Sequence, residues 1–232
     1  CSKDARKRIK EVAAFYNLEI PSYDCELTPN RGLNIASEHE KIRNETIGYI
    51  RDSIEMAADV GAKVLVVVAG RAAWGVPMEE AWRRAVEGLK MCLDSAEEKD
   101  IILGLEHLTW LEGNIVVDLN DLTRMLKEVD SKYMGAIIDT GHVNVTKESL
   151  TDYVYTLKDK LVHVHVDDNN GLSDDHMPPG MGTTNFGPFI SALSAVNYNG
   201  FLSVEPGLGY STDPDSAAYF GINYMKSLLE KL

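Results

Sequence analysis

Apolar residues return along this chain in two alternating rhythms. Short, nearly unbroken apolar runs alternate with longer segments whose apolar positions recur every three or four residues. A short run buried on both faces reads as a parallel strand, and the longer rhythm as one face of a helix. On this basis Asp4–Tyr16 is expected to be helical and Leu18–Tyr23 a strand. Glu40–Val60 is expected to be a helix with Ile47, Ile50, Ile54 and Ala57 on one side. Gly61 should stop that helix as a left-handed C-terminal residue. Strand Lys63–Ala69 follows, then helix Met78–Lys99 with Ala81, Ala85, Leu89 and Cys92 on one face. The alternation continues through strand Ile101–Glu106, helix Leu119–Val129, strand Met134–Asp139, helix Leu150–Leu157 and strand Leu161–Val166. Helix Phe186–Val196, strand Phe201–Glu205 and a terminal helix near Ser216–Leu232 complete it.

Six strands, each followed by a helix, define an α/β chain with a parallel sheet. The expected fold is a (β/α)8 TIM-type barrel, with an open six-stranded sheet as the alternative. A closed barrel of this kind has eight strands. Six βα units are present, so the first two strands are expected to be missing from the front, where Cys1 leads straight into a helix. No helix opens on a dinucleotide fingerprint; Gly70–Gly75 follows a strand but lacks the G-x-G-x-x-G pattern. No linker divides the chain, so residues 1–232 read as one barrel domain, incomplete at its N-terminus. Such a barrel leaves two strand edges unpaired, which favours association. A homo-oligomer, dimer or tetramer, is expected.

Composition narrows the function. At 232 residues and 44% hydrophobic, the chain can bury one large core. Its formal charge of −13 opposes binding to a phosphate backbone. The basic run from Lys3 to Lys10 reads as a solvated helix face, so no nucleic acid partner is expected. Cys1, Cys25 and Cys92 form no metal-type or disulfide framework and suit a reducing compartment. No signal peptide or apolar run of membrane-spanning length is evident. A cytoplasmic protein that takes a small molecule and no membrane is the expectation.

The chemistry lies at the strand ends. Four apolar runs each finish on a metal-competent side chain, one per repeat: Glu106, Asp139, His165 and Glu205. In a parallel barrel the C-terminal strand ends form one rim, where distant residues converge. Two Glu, one Asp and one His suit a divalent cation bound through oxygen and imidazole nitrogen. Mn²⁺ is the expected ion, with Co²⁺, Mg²⁺ or Zn²⁺ as substitutes. His163 is expected on another face or side of its strand, in a structural role. His39 and His107 read as packed or surface histidines. Trp74 and Trp110, in loops after rim strands, are candidates for an aromatic wall against a sugar.

Several motifs in order carry a resemblance. They are Gly104-Leu105-Glu106-His107-Leu108 with Glu112, Ile138-Asp139-Thr140-Gly141-His142-Val143-Asn144, and Val162-His163-Val164-His165-Val166. Pro179-Gly180-Met181-Gly182 and Gly200-Phe201-Leu202-Ser203-Val204-Glu205-Pro206 follow. Together with Pro29–Leu33, this set resembles the xylose isomerase-like barrel superfamily, closest to its ketose 3-epimerases of the tagatose, psicose and fructoselysine type. The resemblance implies that Glu106, Asp139, His165 and Glu205 hold the metal. It implies that His142 contacts substrate, with Glu112 as a supporting acid. It also implies a reaction that moves a proton beside a ketose carbonyl across a metal-bound enediolate.

Inverting a carbon needs a base on one face and an acid on the other, roles that Glu106 and Glu205 can fill. Two positions depart from the pattern. The Arg often found six residues after the metal-binding His is Gly171 here, and the usual acid of the P-G-x-G turn is Met181. The loop between them offers Asp174-Asp175-His176, which resembles the apurinic endonuclease branch, and His176 is expected to approach metal or substrate. The rival readings are isomerisation of a small hydroxy-carbonyl acid or an inositol-derived keto sugar, an abasic-site phosphodiesterase, and a non-catalytic sugar- or metal-binding barrel.

Overall fold

A computed structural model describes residues 2–25 and 32–231. Cys1, and the part of the Pro29–Leu33 motif up to Arg31, lie outside them. The sheet order follows the chain, β1-β2-β3-β4-β5-β6, which is the parallel α/β arrangement expected, with six strands among the described residues. The chain divides into two compact units, one ending at Ala136 and one beginning at Ile137.

The first unit runs α1 (Lys3–Phe15), β1 (Ser22–Asp24), α2 (Glu40–Val60), β2 (Val64–Val68), α3 (Met78–Lys99), β3 (Ile102–Glu106) and α4 (Leu119–Val129). Parallel pairing sets Ser22 opposite Val64, and then Val64 opposite Ile102 through to Val68 opposite Glu106. Both long helices match their expected bounds because their stops are local. Gly61 sits at φ +92 and returns its N–H to the carbonyls of Ala57 and Ala58. Asp100 adopts a left-handed conformation after α3. The buried stripe Ile47, Ile50, Ile54 and Ala57 faces inward as the rhythm requires. Cys25 and Cys92 are free and buried, and burial pushes the Cys92 thiol up to about 12. They behave as the small packed side chains expected of them.

β1 corrects the sequence reading, which placed a strand over Leu18–Tyr23. The end of α1 consumes that stretch: Asn17 turns left-handed at φ +55, and Leu18 N–H closes back on the Ala13 carbonyl at 2.8 Å. This is the reciprocal C-terminal motif that ends many helices. Leu18 has no amide left for a ladder and Pro21 has none to give, so pairing starts at Ser22.

β4 (Met134–Asp139) leads into the second unit, which continues α5 (Thr140–Thr146), α6 (Leu150–Leu157), β5 (Leu161–Val166), α7 (Phe186–Ala195), β6 (Leu202–Val204) and α8 (Pro214–Leu229). β5 pairs β6 in parallel, with His165 opposite Ser203. α5 was not expected. Asp139 ends the strand and at once caps this helix, accepting a 2.8 Å hydrogen bond from the His142 amide. α8 starts two residues before the expected Ser216, because Asp213 caps it and Pro214 fills its first turn.

Candidate metal centre

In the second unit three strand ends meet. Asp139 closes β4, His165 lies near the end of β5, and Glu205 follows β6. Ligand atoms of all three lie within 4.8 Å of one another. His165 Nδ1 is 3.0 Å from Glu205 Oε2 and 4.0 Å from Asp139 Oδ2. Asp139 and His165 are buried and Glu205 is half-buried. Burial would raise the Glu205 carboxyl, but the imidazole of His165 beside it outweighs this and holds it below its ordinary value. Glu205 is therefore ionised.

Around these three stands a second layer, in which His142 and His176 were expected but the acids Asp167 and Asp174 had been given no role of their own. Asp167, fully buried, accepts hydrogen bonds from the Gly141 amide at 2.8 Å and from Thr140 Oγ1. Burial first, then the neighbouring charge of Asp139, pushes its pKa well up. Asp174 Oδ2 lies 3.1 Å from His142 Nε2 and 3.5 Å from His176 Nε2. Although burial opposes it, contact with these two histidines holds the Asp174 carboxyl well below its usual range. Burial likewise disfavours the charged form of His176, and Asp174 overrides it, raising the imidazole to about 10. The signal for this layer was present as the Asp167-Asp168 pair directly after a strand and as Asp174 two residues before His176.

Asp168 does different work. Its carboxylate accepts amide hydrogen bonds from Asn169, Gly180, Gly182 and Thr184 at 2.8–3.1 Å. Its backbone pairs with Met177 in both directions at 2.7 Å. This pins the loop that carries Asp174 and His176. A Cβ at Gly182 would collide with the backbone of Asn169, so the P-G-x-G turn needs its second glycine for close approach.

His163 corrects an expectation. Residues two apart on a strand share a face, and the His163 and His165 rings lie 5.2 Å apart, edge to face. Burial lowers the His163 pKa to about 3.

In the first unit Glu106 ends β3, buried, opposite Val68. Trp110 and Glu112 are in the loop that follows. Trp110 is 65% exposed, and Glu112 is exposed, with Thr109 Oγ1 donating to it at 3.4 Å.

Donor chemistry favours a cation in the second unit. Buried Asp174 Oδ1 receives no hydrogen bond, while Glu205 Oε2 and Asp167 Oδ2 are met by imidazole nitrogens, His165 Nδ1 at 3.0 Å and His176 Nδ1 at 3.3 Å; so many buried carboxylates are costly unless further positive charge meets them. Oxygen and imidazole donors together suit a divalent ion. His142, Asp174 and His176 form a further donor set, as do Asp139, Asp167 and His176.

The profile of the xylose isomerase-like TIM barrel family matches residues 1–228. The chain belongs to this family. Among its family relatives is a fructoselysine 3-epimerase of Shigella flexneri, 30% identical over 223 residues, covering 96% of this chain and 80% of the relative. An uncharacterized protein of Methanocaldococcus jannaschii is 31% identical over 204 residues, covering 86% of this chain and 68% of its own length. The crystal structure of a D-tagatose 3-epimerase-like protein superposes with a TM-score of 0.88 at 29% identity, covering 99% of this chain and 84% of that one. The similarity marks an enzyme of the sugar epimerase and isomerase kind. No helix among the described residues is long and apolar enough to cross a membrane.

Proposed function

We propose that this enzyme is a ketose 3-epimerase dependent on a divalent metal, and that it shifts a proton beside the ketose carbonyl through an enediolate. The observation that carries the reading is the meeting of Asp139, His165 and Glu205, two carboxylates and an imidazole whose ligand atoms lie within 4.8 Å of one another. Glu106, which ends the preceding strand, is proposed as the fourth ligand on the strength of its position in the repeat. A divalent ion, Mn²⁺ by preference, would supply positive charge beside the carbonyl and neighbouring hydroxyl oxygens.

Glu205, ionised beside His165, takes the proton from the carbon next to the carbonyl. Glu106 returns a proton to the opposite face, so the configuration inverts. His142, held by Asp174 at 3.1 Å, donates to a substrate oxygen, and His176 is fixed behind it by the same carboxylate. Glu112 and Trp110 are proposed at the substrate's margin, where the exposed indole offers a flat apolar face for a sugar ring.

The test is product analysis with fructose, tagatose, psicose and ribulose, before and after complete chelation and with each metal restored. Epimerisation at carbon 3 that disappears on chelation and returns best with Mn²⁺ is expected. Full activity in metal-free protein would rule the reading out. The donor set His142, Asp174 and His176 favours a second reading, hydrolysis of a phosphodiester at an abasic site. The charge of −13 weighs against it, and cleavage of an abasic duplex without any sugar epimerisation would establish it.

A further inference from the structure

The second unit holds a cavity of about 220 Å³ that the proposed chemistry leaves unused. Its walls come from the connection between α5 and α6 and from the turn that leads into α7. None of the residues assigned to the metal or to the substrate lines it. Val143 and Phe189, both fully buried, give it apolar surface, and the rest of the lining is mostly polar.

The polar groups are of opposite kinds. Glu148 is an acceptor in the wall. Tyr153 Oη donates to its Oε2 at 2.6 Å and fixes the side chain, and a carboxylate has about four acceptor positions in all. On the other side α7 opens without a side-chain cap, since Asn185 makes no capping hydrogen bond. The first amides of that helix are donors in need of an acceptor. Hydroxyls that can do either complete the lining. Ser149 Oγ and Thr151 Oγ1 lie 2.9 Å apart. Thr184 Oγ1 is buried without a hydrogen-bond partner, a costly state for a hydroxyl unless a ligand group meets it.

This mixture discriminates between ligands. An anion would suit the helix amides but face the Glu148 carboxylate. A cation would suit Glu148 but face the positive end of the α7 dipole. Hydroxyl groups donate and accept alike. A neutral polyol can therefore meet carboxylate, amides and hydroxyls together, with its C–H faces against Val143 and Phe189.

We propose that this cavity binds one molecule of a neutral sugar or cyclic polyol, with Glu148 and Thr184 as its principal hydrogen-bonding partners. The site is separate from the metal centre, and it does not depend on the epimerase reading.

Residue-resolved NMR tests it. The Mg²⁺-loaded protein is titrated with D-glucose, myo-inositol, inorganic phosphate and, as a cation, methylammonium, while the amide signals of Ser149, Thr151, Thr184 and Gly187 are followed. One or both polyols should move these signals saturably, and the tighter of the two tells a ring sugar from a cyclitol. Glu148→Gln should weaken the midpoint about tenfold and Thr184→Val about threefold. Thr184→Val should melt no lower than the parent, because the hydroxyl it removes has no partner in the protein; it therefore decides the matter even if Glu148→Gln fails to fold. Signals that stay still with both polyols, movement confined to Asp139 and His165, or a parental midpoint in either folded variant overturns the inference. Saturation by phosphate or methylammonium in place of the polyols also overturns it and assigns the cavity to an ion.

Discussion

Two loops that follow strands in this molecule are held by opposite means. After β2, residues 70–73 are clasped by the neutral amides of Asn34 and Asn114. After β5, residues 167–185 are organised by Asp167, Asp168, Asp174 and His176. Neutral amides fix a backbone at little electrostatic cost. Buried carboxylates fix one just as firmly, but their charge must be compensated, here by the imidazoles of His142 and His176 and, where carboxylates outnumber them, by a further cation. The first loop is therefore a rigid wall and the second a charged receptacle. In the second loop Asp168 alone uses its carboxylate fully on backbone amides, which marks it as scaffold among residues arranged for chemistry.

The contrast should break in a definite order. Glu205→Gln, and Glu106→Gln in the first unit, remove the proposed proton carriers. Each should lower turnover about 100- to 10,000-fold while circular dichroism and the melting temperature stay near those of the parent. A variant that keeps its activity would show that its carboxylate carries no proton.

Asp168→Ala should act on stability instead. It strips four amide partners from the loop, which should cost about 3 kcal/mol in a denaturant titration. Loss of that size, with protease cleavage appearing between residues 170 and 185, is expected. A titration unchanged from the parent would mean that the turn holds itself.

Asn34→Ala is the matching cut in the first unit, and its loss should be smaller, about 1–2 kcal/mol, because only neutral bonds go. A larger loss than Asp168→Ala would reverse the comparison.

Much of this was legible in the sequence where the cause is local. The helices α2, α3 and α4 have the bounds their apolar rhythm gave, since a left-handed residue stops each of them: Gly61, Asp100 and Asp130. The strand ends Asp139, His165 and Glu205 were likewise visible as polar residues closing apolar runs. What was not legible depends on partners distant in sequence or on competition between motifs. β1 is short because α1 captures the Leu18 amide. α5 was hidden because Asp139 serves both as strand end and as helix cap. Asp168 reads as one more acid in a polar loop, and its partners stand up to 16 residues away. The face of His163 follows from strand geometry alone, and there the expectation rather than the sequence was at fault.

The central claim is that two carboxylates move a proton beside a ketose carbonyl in a metal-dependent site. Incubating the Mn²⁺-loaded enzyme with ketose in D₂O and reading the product by NMR tests it most directly. Solvent deuterium at carbon 3 of the epimer, formed by the parent and absent from Glu205→Gln, is the expected result. Epimer that forms with its original hydrogen kept at carbon 3 would contradict the account, because no proton would then have passed through these carboxylates.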